Sequence, residues 1–271
     1  MRHVIPIILS AIIFSSCTSG NDSRKNKPYK ETGKWISLFN GKDLNGWIPK
    51  FAGEPLDENY KNTFRVENGI LKVSYDDYDT FGNKFGHLFY KDEFSNYKLH
   101  VEYRFTGEQL TGSPAWAFKN NGVMIHSQSP QSMEHDQWYP VAVEVQLMGG
   151  NGKEKRPTAN VCTPGTNIKI NGKPVPQHCT PSLSKTYSGD EWVTVEVVVL
   201  NNKVIQHFVE GKKVLEYTDP TVGGGNGKPD DYPIPDGTPL KKGYIAIQSE
   251  GHPTEFRKIE LIQLEVKKEN E

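Results

Sequence analysis

Apolar and polar residues alternate along many short stretches of the chain after residue 33. In the stretch YKLHVEYRFTG, apolar residues recur at every second position, at Tyr97, Leu99, Val101, Tyr103 and Phe105. Successive side chains of an extended strand point to opposite faces, so a period of two predicts a strand with one buried face. Few stretches show the period of an amphipathic helix.

A second alternating stretch, YPVAVEVQLMGG at 139–150, combines an apolar face with an unusual polar one. Its apolar positions are Val141, Val143, Val145 and Leu147. Glu144 and Gln146 therefore share the opposite face. This face is either the solvent-facing side of an antiparallel sheet or a concave surface that holds a ligand.

Short turn signals separate the predicted strands. Asn68-Gly69 is the strongest short hairpin signal, and Asn201-Asn202 and Glu210-Gly211 separate three further strands. A continuous run of about a dozen strands predicts one all-β domain, with two antiparallel sheets in a sandwich or jelly roll. We expect the longer loops to gather at one rim and to carry function. These loops are 107–121, 127–140, 150–190 and 221–239.

The first 33 residues differ in character from the rest of the chain. Val4 to Phe14 form a short apolar run, and small residues precede Cys17. This pattern resembles a bacterial lipobox and predicts a lipoprotein signal peptide at 1–17, with Cys17 lipidated; the alternative is a secretory signal that is cleaved nearby. Residues 18–33 are predicted as a flexible tether and residues 34–268 as a single β-sandwich domain.

We therefore expect an exported protein that is anchored to a membrane through its N-terminal lipid, on the periplasmic side or at the outer membrane. The lipid would be its only membrane contact. Cys162 and Cys179 bracket a loop rich in Pro and Gly. Under oxidising conditions outside the cytoplasm a disulfide between them is expected. The alternative is a metal site that uses a cysteine and His178.

The charge balance argues against one class of partner. The formal net charge is −1 and the pI is about 6.7. Domains that bind nucleic acid usually carry a basic excess, so we do not expect a nucleic-acid partner. No feature of the sequence predicts an oligomeric state.

Six short motifs carry a resemblance to a known family. They are LFNGKDLNGW at 38–47, Asn121-Gly122-Val123, Glu144-Val145-Gln146, Glu191-Trp192, the turn at 209–212 and GYIAIQSEGHPTEFRKIEL at 243–261. In order and spacing the chain resembles the bacterial 3-keto-disaccharide hydrolase family, from about Trp35 to Val266. That resemblance implies a concanavalin A-like lectin or glucanase fold, in which one of two curved sheets presents a concave carbohydrate groove.

The resemblance implies cleavage of 3-keto-glycosides or disaccharides. A ketone at C3 acidifies the hydrogen on C2; a base removes it, the enolate expels the group at C1, and water then adds to the double bond. Glucanases of this fold typically place two acids four residues apart on one strand, with an Asp between them, whereas this strand reads Glu144, Gln146 and Met148. The keto-sugar reaction needs only one base, one electrophile for the enolate oxygen and an acid for the leaving oxygen.

Strand parity and loop position suggest the residues of this site. The candidate catalytic residues are Glu144, His126 and Arg104. The candidate substrate-binding residues are Gln146, Gln248, Trp116, Trp138, Tyr139, Glu134 and His252. A divalent metal ion of unspecified identity is one electrophile that fits this chemistry, with His126 and Glu144 as candidate ligands.

A second function class remains open from the sequence. A non-catalytic carbohydrate-binding module of the same fold would also need exposed aromatic rings and amides for a sugar partner. It would not need a desolvated carboxylate beside other polar groups, as an enzyme would. The surroundings of Glu144 therefore distinguish the two classes.

Overall fold

Two antiparallel sheets dominate the computed structural model, which describes residues 27–188, 190–224 and 226–267. Strands in these ranges are numbered β1 to β17 in chain order. The larger sheet contains β1 (Tyr29–Ser37), β3 (Phe64–Glu67), β4 (Ile70–Val73), β6 (Asn96–Phe105), β10 (Thr166–Ile170), β11 (Lys173–Pro174), β13 (Val193–Leu200), β14 (Val204–Val209), β15 (Lys212–Val222) and β17 (Thr254–Val266). The smaller sheet contains β2 (Trp47–Phe51), β5 (Gly86–Tyr90), β7 (Asn120–Ser127), β8 (Val143–Met148), β9 (Asn160–Cys162), β12 (Cys179–Thr180) and β16 (Tyr244–Ser249).

Strand order brings distant parts of the chain together. The larger sheet runs β11-β10-β15-β14-β13-β6-β17-β4-β3, and β1 adds to it by pairing with β17. The smaller sheet runs β12-β9-β8-β7-β16-β5-β2. The helical structure in the described ranges is three single 3-10 turns, at Tyr60–Asn62, Ala115–Ala117 and Pro130–Ser132. None of these is long and apolar enough to span a membrane.

Alternation explains why the two sheets stack. Along β6, the burial pattern alternates as the sequence predicts, with Leu99 and Val101 fully inside. Val145 of β8 and Ile247 of β16 belong to the same hydrophobic core and come from the other sheet. Burial of the two facing apolar surfaces removes them from water and drives the sheets together. The prediction of an all-β, two-sheet antiparallel sandwich is confirmed.

The predicted turns connect neighbouring strands. Asn68 and Gly69 have φ values of 52° and 79° and link β3 to β4. Positive φ at both central residues gives the type of turn whose twist matches that of the paired strands. Asn201 and Glu210 stand at the turns between β13, β14 and β15, which pair sequentially as expected.

The N-terminal boundary differs from the prediction. Residues 18–33 were predicted to be a tether, but β1 begins at Tyr29, and Tyr29 to Thr32 pair with Gln263 to Val266 of β17. Tyr29 is buried against Leu264 in a small apolar cluster, and the composition of a short polar segment does not reveal such docking. The predicted signal peptide, the lipidation site Cys17 and the last predicted domain residue, 268, lie outside the described residues.

Candidate active site

Strand β8 places its polar face away from the core, on the outer side of the smaller sheet. Glu144 is nevertheless buried, with 6% of its surface exposed, and Gln146 is partly buried. Gln146 stands opposite Gly122 in register, and Gln248 of β16 stands opposite His87 of β5. A row of polar side chains therefore crosses the sheet beneath the surrounding loops, so the face is a covered, ligand-sized surface.

Gly122 provides room for the acidic group at the centre of this row. A Cβ atom at residue 122 would lie 2.6 Å from Glu144 Oε1 and 2.8 Å from Gln248 Oε1. The side chains of Glu144 and Gln248 thus converge over Gly122 from opposite sides. Glycine at this position leaves the space into which the carboxyl group folds.

A second buried carboxyl group, Glu250, follows the end of β16. Glu250 has 3% of its surface exposed, and its Oε2 atom has no hydrogen-bond partner. Burial and the charge of Glu144 raise the pKa of Glu250 well above its ordinary value, while a hydrogen bond from Tyr139 opposes this increase. Burial alone raises the pKa of Glu144 to about 8.

These two carboxyl groups form an acid and base pair. Two like charges close together in a desolvated site disfavour double ionisation, so one group tends to keep its proton when the other is ionised. A general base and a general acid with pKa values near the working pH are what proton-transfer catalysis requires. The second carboxylate, which the β8 sequence lacks, comes from the segment after β16.

Two neutral polar groups lie beside this acidic pair without partners. Both ring nitrogens of His87 and both side-chain polar atoms of Gln248 are buried and unpaired. Burial and nearby Lys50 lower the pKa of His87 to about 3, so its imidazole is neutral at physiological pH. Buried polar atoms without partners are rare and mark places where a ligand completes the hydrogen bonds.

A cavity of about 550 Å³ opens above Glu144 and Glu250. The other lining residues are Trp116, Asn120, Tyr139, Gln146, Met148, Cys162, Pro164, His178, Cys179, Asn226 and Gly227. They include members of all four long loops, so the prediction that these loops gather at one rim is confirmed. The predicted Cys162–Cys179 disulfide is present and forms part of the cavity wall.

Aromatic rings flank the mouth of this cavity. Trp116 and Trp138 are half exposed and pack on Phe85, with ring centroids 6.0 Å and 4.9 Å from it. Tyr139 also contacts Phe85, at 5.1 Å, and lines the cavity. Trp116 and Tyr139 therefore lie where the sequence placed sugar-binding aromatics, and Trp138 stands beside them at the rim.

The structure does not bring His126 to this site. Opposite Ile245 of β16, strand β7 carries an extra residue, because Met124 pairs with Ala246 but Ser127 pairs with Tyr244. His126 has φ +49° at this bulge, and its Nε2 atom lies 3.0 Å from the carbonyl oxygen of Asn201. A bulge breaks the period of two, so the parity that grouped His126 with Glu144 does not hold.

Arg104 and Glu134 are also elsewhere. Arg104 lies on β6 of the larger sheet, where it forms an ion pair with Glu255 at 2.7 Å and packs over Trp192. Its parity was read correctly as the non-core face, but that face belongs to the other sheet. Glu134 is an exposed loop residue, and its pKa is raised first by a hydrogen bond with Asp231.

His252 is close to the site but beneath its wall. It is 1% exposed and packs edge-on between Phe105 and Phe118. Neither ring nitrogen has a partner, and burial lowers the pKa of His252 to about 4. The structure therefore does not place His252 in the cavity lining, although it is an unpaired polar group nearby.

The residues present do not fit the suggested metal centre. Across 27–188, 190–224 and 226–267, no three His, Cys, Asp or Glu side chains are grouped as metal ligands. The candidate ligands His126 and Glu144 point to different parts of the molecule, because the bulge turns His126 toward Asn201. We therefore route no chemical step through a metal at this site.

Sequence reasoning missed several residues that line or underlie the cavity. Glu250 shares the parity of Gln248, and this signal was available, but the chain turns after Ser249 and leaves the strand pattern. His87 lies on β5, whose sequence GHLFY shows no alternation because both faces are covered. Asn120 and His178 enter the lining through the strand order and the disulfide loop, and neither position is visible in a local pattern.

Comparisons with known proteins agree with this arrangement. A family profile described as a 3-keto-alpha-glucoside-1,2-lyase-like domain matches residues 34–262. A proposed glycosyl hydrolase from Parabacteroides distasonis ATCC 8503 has a similar structure, with a TM-score of 0.50 and 20% identity; the match covers 84% of this chain and 98% of that one. A search of curated proteins found no match.

A protein of unknown function with a galectin-like fold from Bacillus subtilis is also similar, with a TM-score of 0.52 and 12% identity. The match covers 88% of this chain and 100% of that one. At such identities these likenesses establish the fold alone. They confirm the lectin-type jelly roll that the sequence predicts. Because the family profile spans most of the chain, this protein belongs to the 3-keto-alpha-glucoside-1,2-lyase-like family.

Proposed function

We propose that this protein cleaves 3-keto-glycosides by elimination at C1 followed by addition of water. The observation that carries this proposal is the buried pair Glu144 and Glu250 at the base of the loop-lined cavity. The elevated pKa values of both groups support a shared proton near neutral pH. Membership of a family described as 3-keto-alpha-glucoside-1,2-lyase-like supports the substrate class.

In the first half of the reaction, the ionised member of the pair removes the proton from C2 of the keto sugar. The electrons of the C2–H bond form the enolate of the C3 ketone. Collapse of the enolate makes the C1–C2 double bond and breaks the bond from C1 to the leaving oxygen, which takes the proton of the other carboxylic acid. We assign the base to Glu144, since it lies over the centre of the polar row, and the acid to Glu250.

In the second half, water adds across the double bond. The Glu250 carboxylate, having lost its proton, accepts one proton from the water as its oxygen bonds to C1. Protonated Glu144 returns a proton to C2, so both carboxyl groups finish in their starting states. Reversal of roles between the two half-reactions is the usual economy of an acid and base pair.

The neighbouring neutral groups serve the enolate. Negative charge develops on the C3 oxygen as the proton leaves, and fixed donors directed at that atom stabilise it. Gln248 Nε2 and the protonated nitrogen of neutral His87 are buried donors without partners. Placing them beside the enolate oxygen satisfies hydrogen bonds that the empty cavity leaves unmade.

Substrate orientation comes from the cavity wall. The rings of Trp116 and Tyr139 can stack on the apolar face of a pyranose, and Gln146 offers a hydrogen bond to a hydroxyl group. The exported, lipid-anchored location predicted from residues 1–17 is part of this proposal. It would place the enzyme among glycosides that have not entered the cytoplasm.

A comparison of two substrates tests the proposal. Wild-type protein should cleave a 3-keto-α-glucoside but not the parent glucoside, whose C2 hydrogen is not acidic. Glu144→Gln should lose this turnover, while Glu58→Gln, an exposed loop substitution, should retain it. Binding of both sugars without cleavage of either would instead indicate a non-catalytic carbohydrate-binding module.

A further inference from the structure

A second cavity of about 540 Å³ adjoins the candidate active site. The two cavities share Trp116, Met148 and Cys179 in their linings. Asn160 lines the second cavity and donates a hydrogen bond of 3.0 Å to Gln146, which lines the first. The two spaces are therefore parts of one groove, with Glu144 and Glu250 in one part only.

A buried guanidinium group marks the second part of the groove. Arg156 is 7% exposed, and its one hydrogen bond runs from Nη2 to the carbonyl oxygen of Phe118, at 2.5 Å. Its Nε atom is buried without a partner. Among the described residues, no carboxylate lies within salt-bridge distance of Arg156. A buried cation with an unmet donor is costly unless a ligand supplies the acceptor.

The surrounding charges reinforce this site. Lys155 also lines the second cavity, and its ammonium group has neither a hydrogen bond nor an ion pair within the described ranges. The acidic lining residue, Glu154, accepts a hydrogen bond of 3.1 Å from Asn151. Lys119 and Arg156 both help lower the pKa of His252 behind the wall, which shows that the local potential is positive.

The position of this cavity relative to the acid and base pair decides which part of a substrate it meets. The ring that loses its C2 proton must lie over Glu144, inside the first cavity. The group attached to C1 then extends along the groove past Trp116 and Met148. Resting on the proposed function, we propose that the second cavity binds the leaving group, and that this leaving group carries a carboxylate recognised by Arg156 and Lys155.

Binding of unoxidised glycosides tests this subsite without depending on turnover. The probes are 4-carboxyphenyl α-glucoside and its neutral isostere, 4-carbamoylphenyl α-glucoside, measured by calorimetry at low salt. The wild-type protein should bind the acidic glycoside about tenfold more tightly, which is the scale of one charge-assisted hydrogen bond. Lys155→Gln and Arg156→Gln should each reduce that ratio several-fold.

The matched control is Lys153→Gln, which changes an exposed lysine two residues away that does not line the cavity and should keep the wild-type ratio. Lys155 is exposed, so Lys155→Gln tests the inference even if Arg156→Gln fails to fold. Equal affinities for the two glycosides, no binding of the acidic one, or a preference that both variants retain would overturn the inference. Turnover of the 3-keto-glucoside is a separate readout, so failure of the subsite and failure of the proposed reaction are distinguishable.

Discussion

The carboxyl group of Glu144 lies across Gly122 on the neighbouring strand, with Oε1 2.6 Å from the point where a Cβ atom of residue 122 would stand. Gly122 is therefore part of the site although it carries no functional group. Its backbone does not need the left-handed conformation, so its role is the space that it leaves open.

Gly122→Ala should consequently displace Glu144 with little effect on the backbone. A misplaced catalytic group costs on the order of 100-fold in kcat/KM even for shifts near one ångström. We expect a loss of this size for the 3-keto-glucoside, with the melting temperature changed by only a few degrees. Kinetics and thermal unfolding of the purified variant measure both. Wild-type activity in a folded Gly122→Ala protein would show that the Glu144 position is not critical.

The raised pKa of Glu144 predicts a pH-dependent effect on stability. In the unfolded chain this carboxyl group ionises near its ordinary pKa, whereas burial in the folded protein holds its pKa at about 8. Between these values the folded state binds more protons than the unfolded state, so this group's contribution to stability is lost as pH rises toward 8. The melting temperature of Glu144→Gln relative to wild type should therefore increase from pH 5 to pH 8.

Glu58→Gln is the control for that series, because it removes an exposed carboxylate in a loop. Its melting temperature should follow that of wild type across the same range. A Glu144→Gln difference that stays constant with pH, or that falls as pH rises, would contradict a folded-state pKa near 8.

The disulfide predicts a linked loss of stability and substrate affinity. Cys162 and Cys179 are 17 residues apart, and a loop of this size contributes about 3 kcal/mol to stability in the chain-entropy account. The bond also holds His178 and the wall of the cavity. The double substitution to serine should lower the melting temperature and raise KM more than it lowers kcat. A stable variant with unchanged KM would show that the wall does not depend on the bond.

His126 predicts the opposite of what its sequence position suggests. Its ring lies 3.0 Å from the carbonyl oxygen of Asn201 at the bulge, away from Glu144. His126→Gln should therefore cost about 1–3 kcal/mol of stability, the usual effect of disturbing a buried hydrogen bond, and leave kcat/KM near wild type. Chemical denaturation and kinetics on the same sample separate the two effects. A folded variant without activity would return His126 to the catalytic residues.

The sequence predicts the fold well and the site in part. Alternation in β6 and β8 identifies the two facing surfaces, and Glu144, Gln146, Gln248 and the loop aromatics follow from it. Arg104 fails because parity selects a face of a strand and does not tell which sheet the strand joins. His126 fails because one extra residue in β7 reverses the parity, and bulges leave no local sequence signal here.

Glu250 illustrates the remaining limit in physical terms. It reaches Glu144 because β7 separates β8 from β16 in the sheet, a strand order that depends on contacts distant in sequence. Its unusual pKa arises only after both carboxyl groups are buried together. A single strand therefore lacks the second acid of an ordinary glucanase, while the assembled sheet supplies one.

Cleavage of a 3-keto-α-glucoside labelled with deuterium at C2 tests the central claim most directly. Elimination requires the C2–D bond to break, so the account predicts a slower kcat/KM for the labelled substrate and loss of deuterium from C2 of the product sugar. Free 3-keto-glucose labelled at C2, incubated without enzyme, measures any spontaneous exchange. An unchanged rate together with full retention of deuterium at C2 would contradict the elimination and would mean that the bond at C1 is cleaved directly.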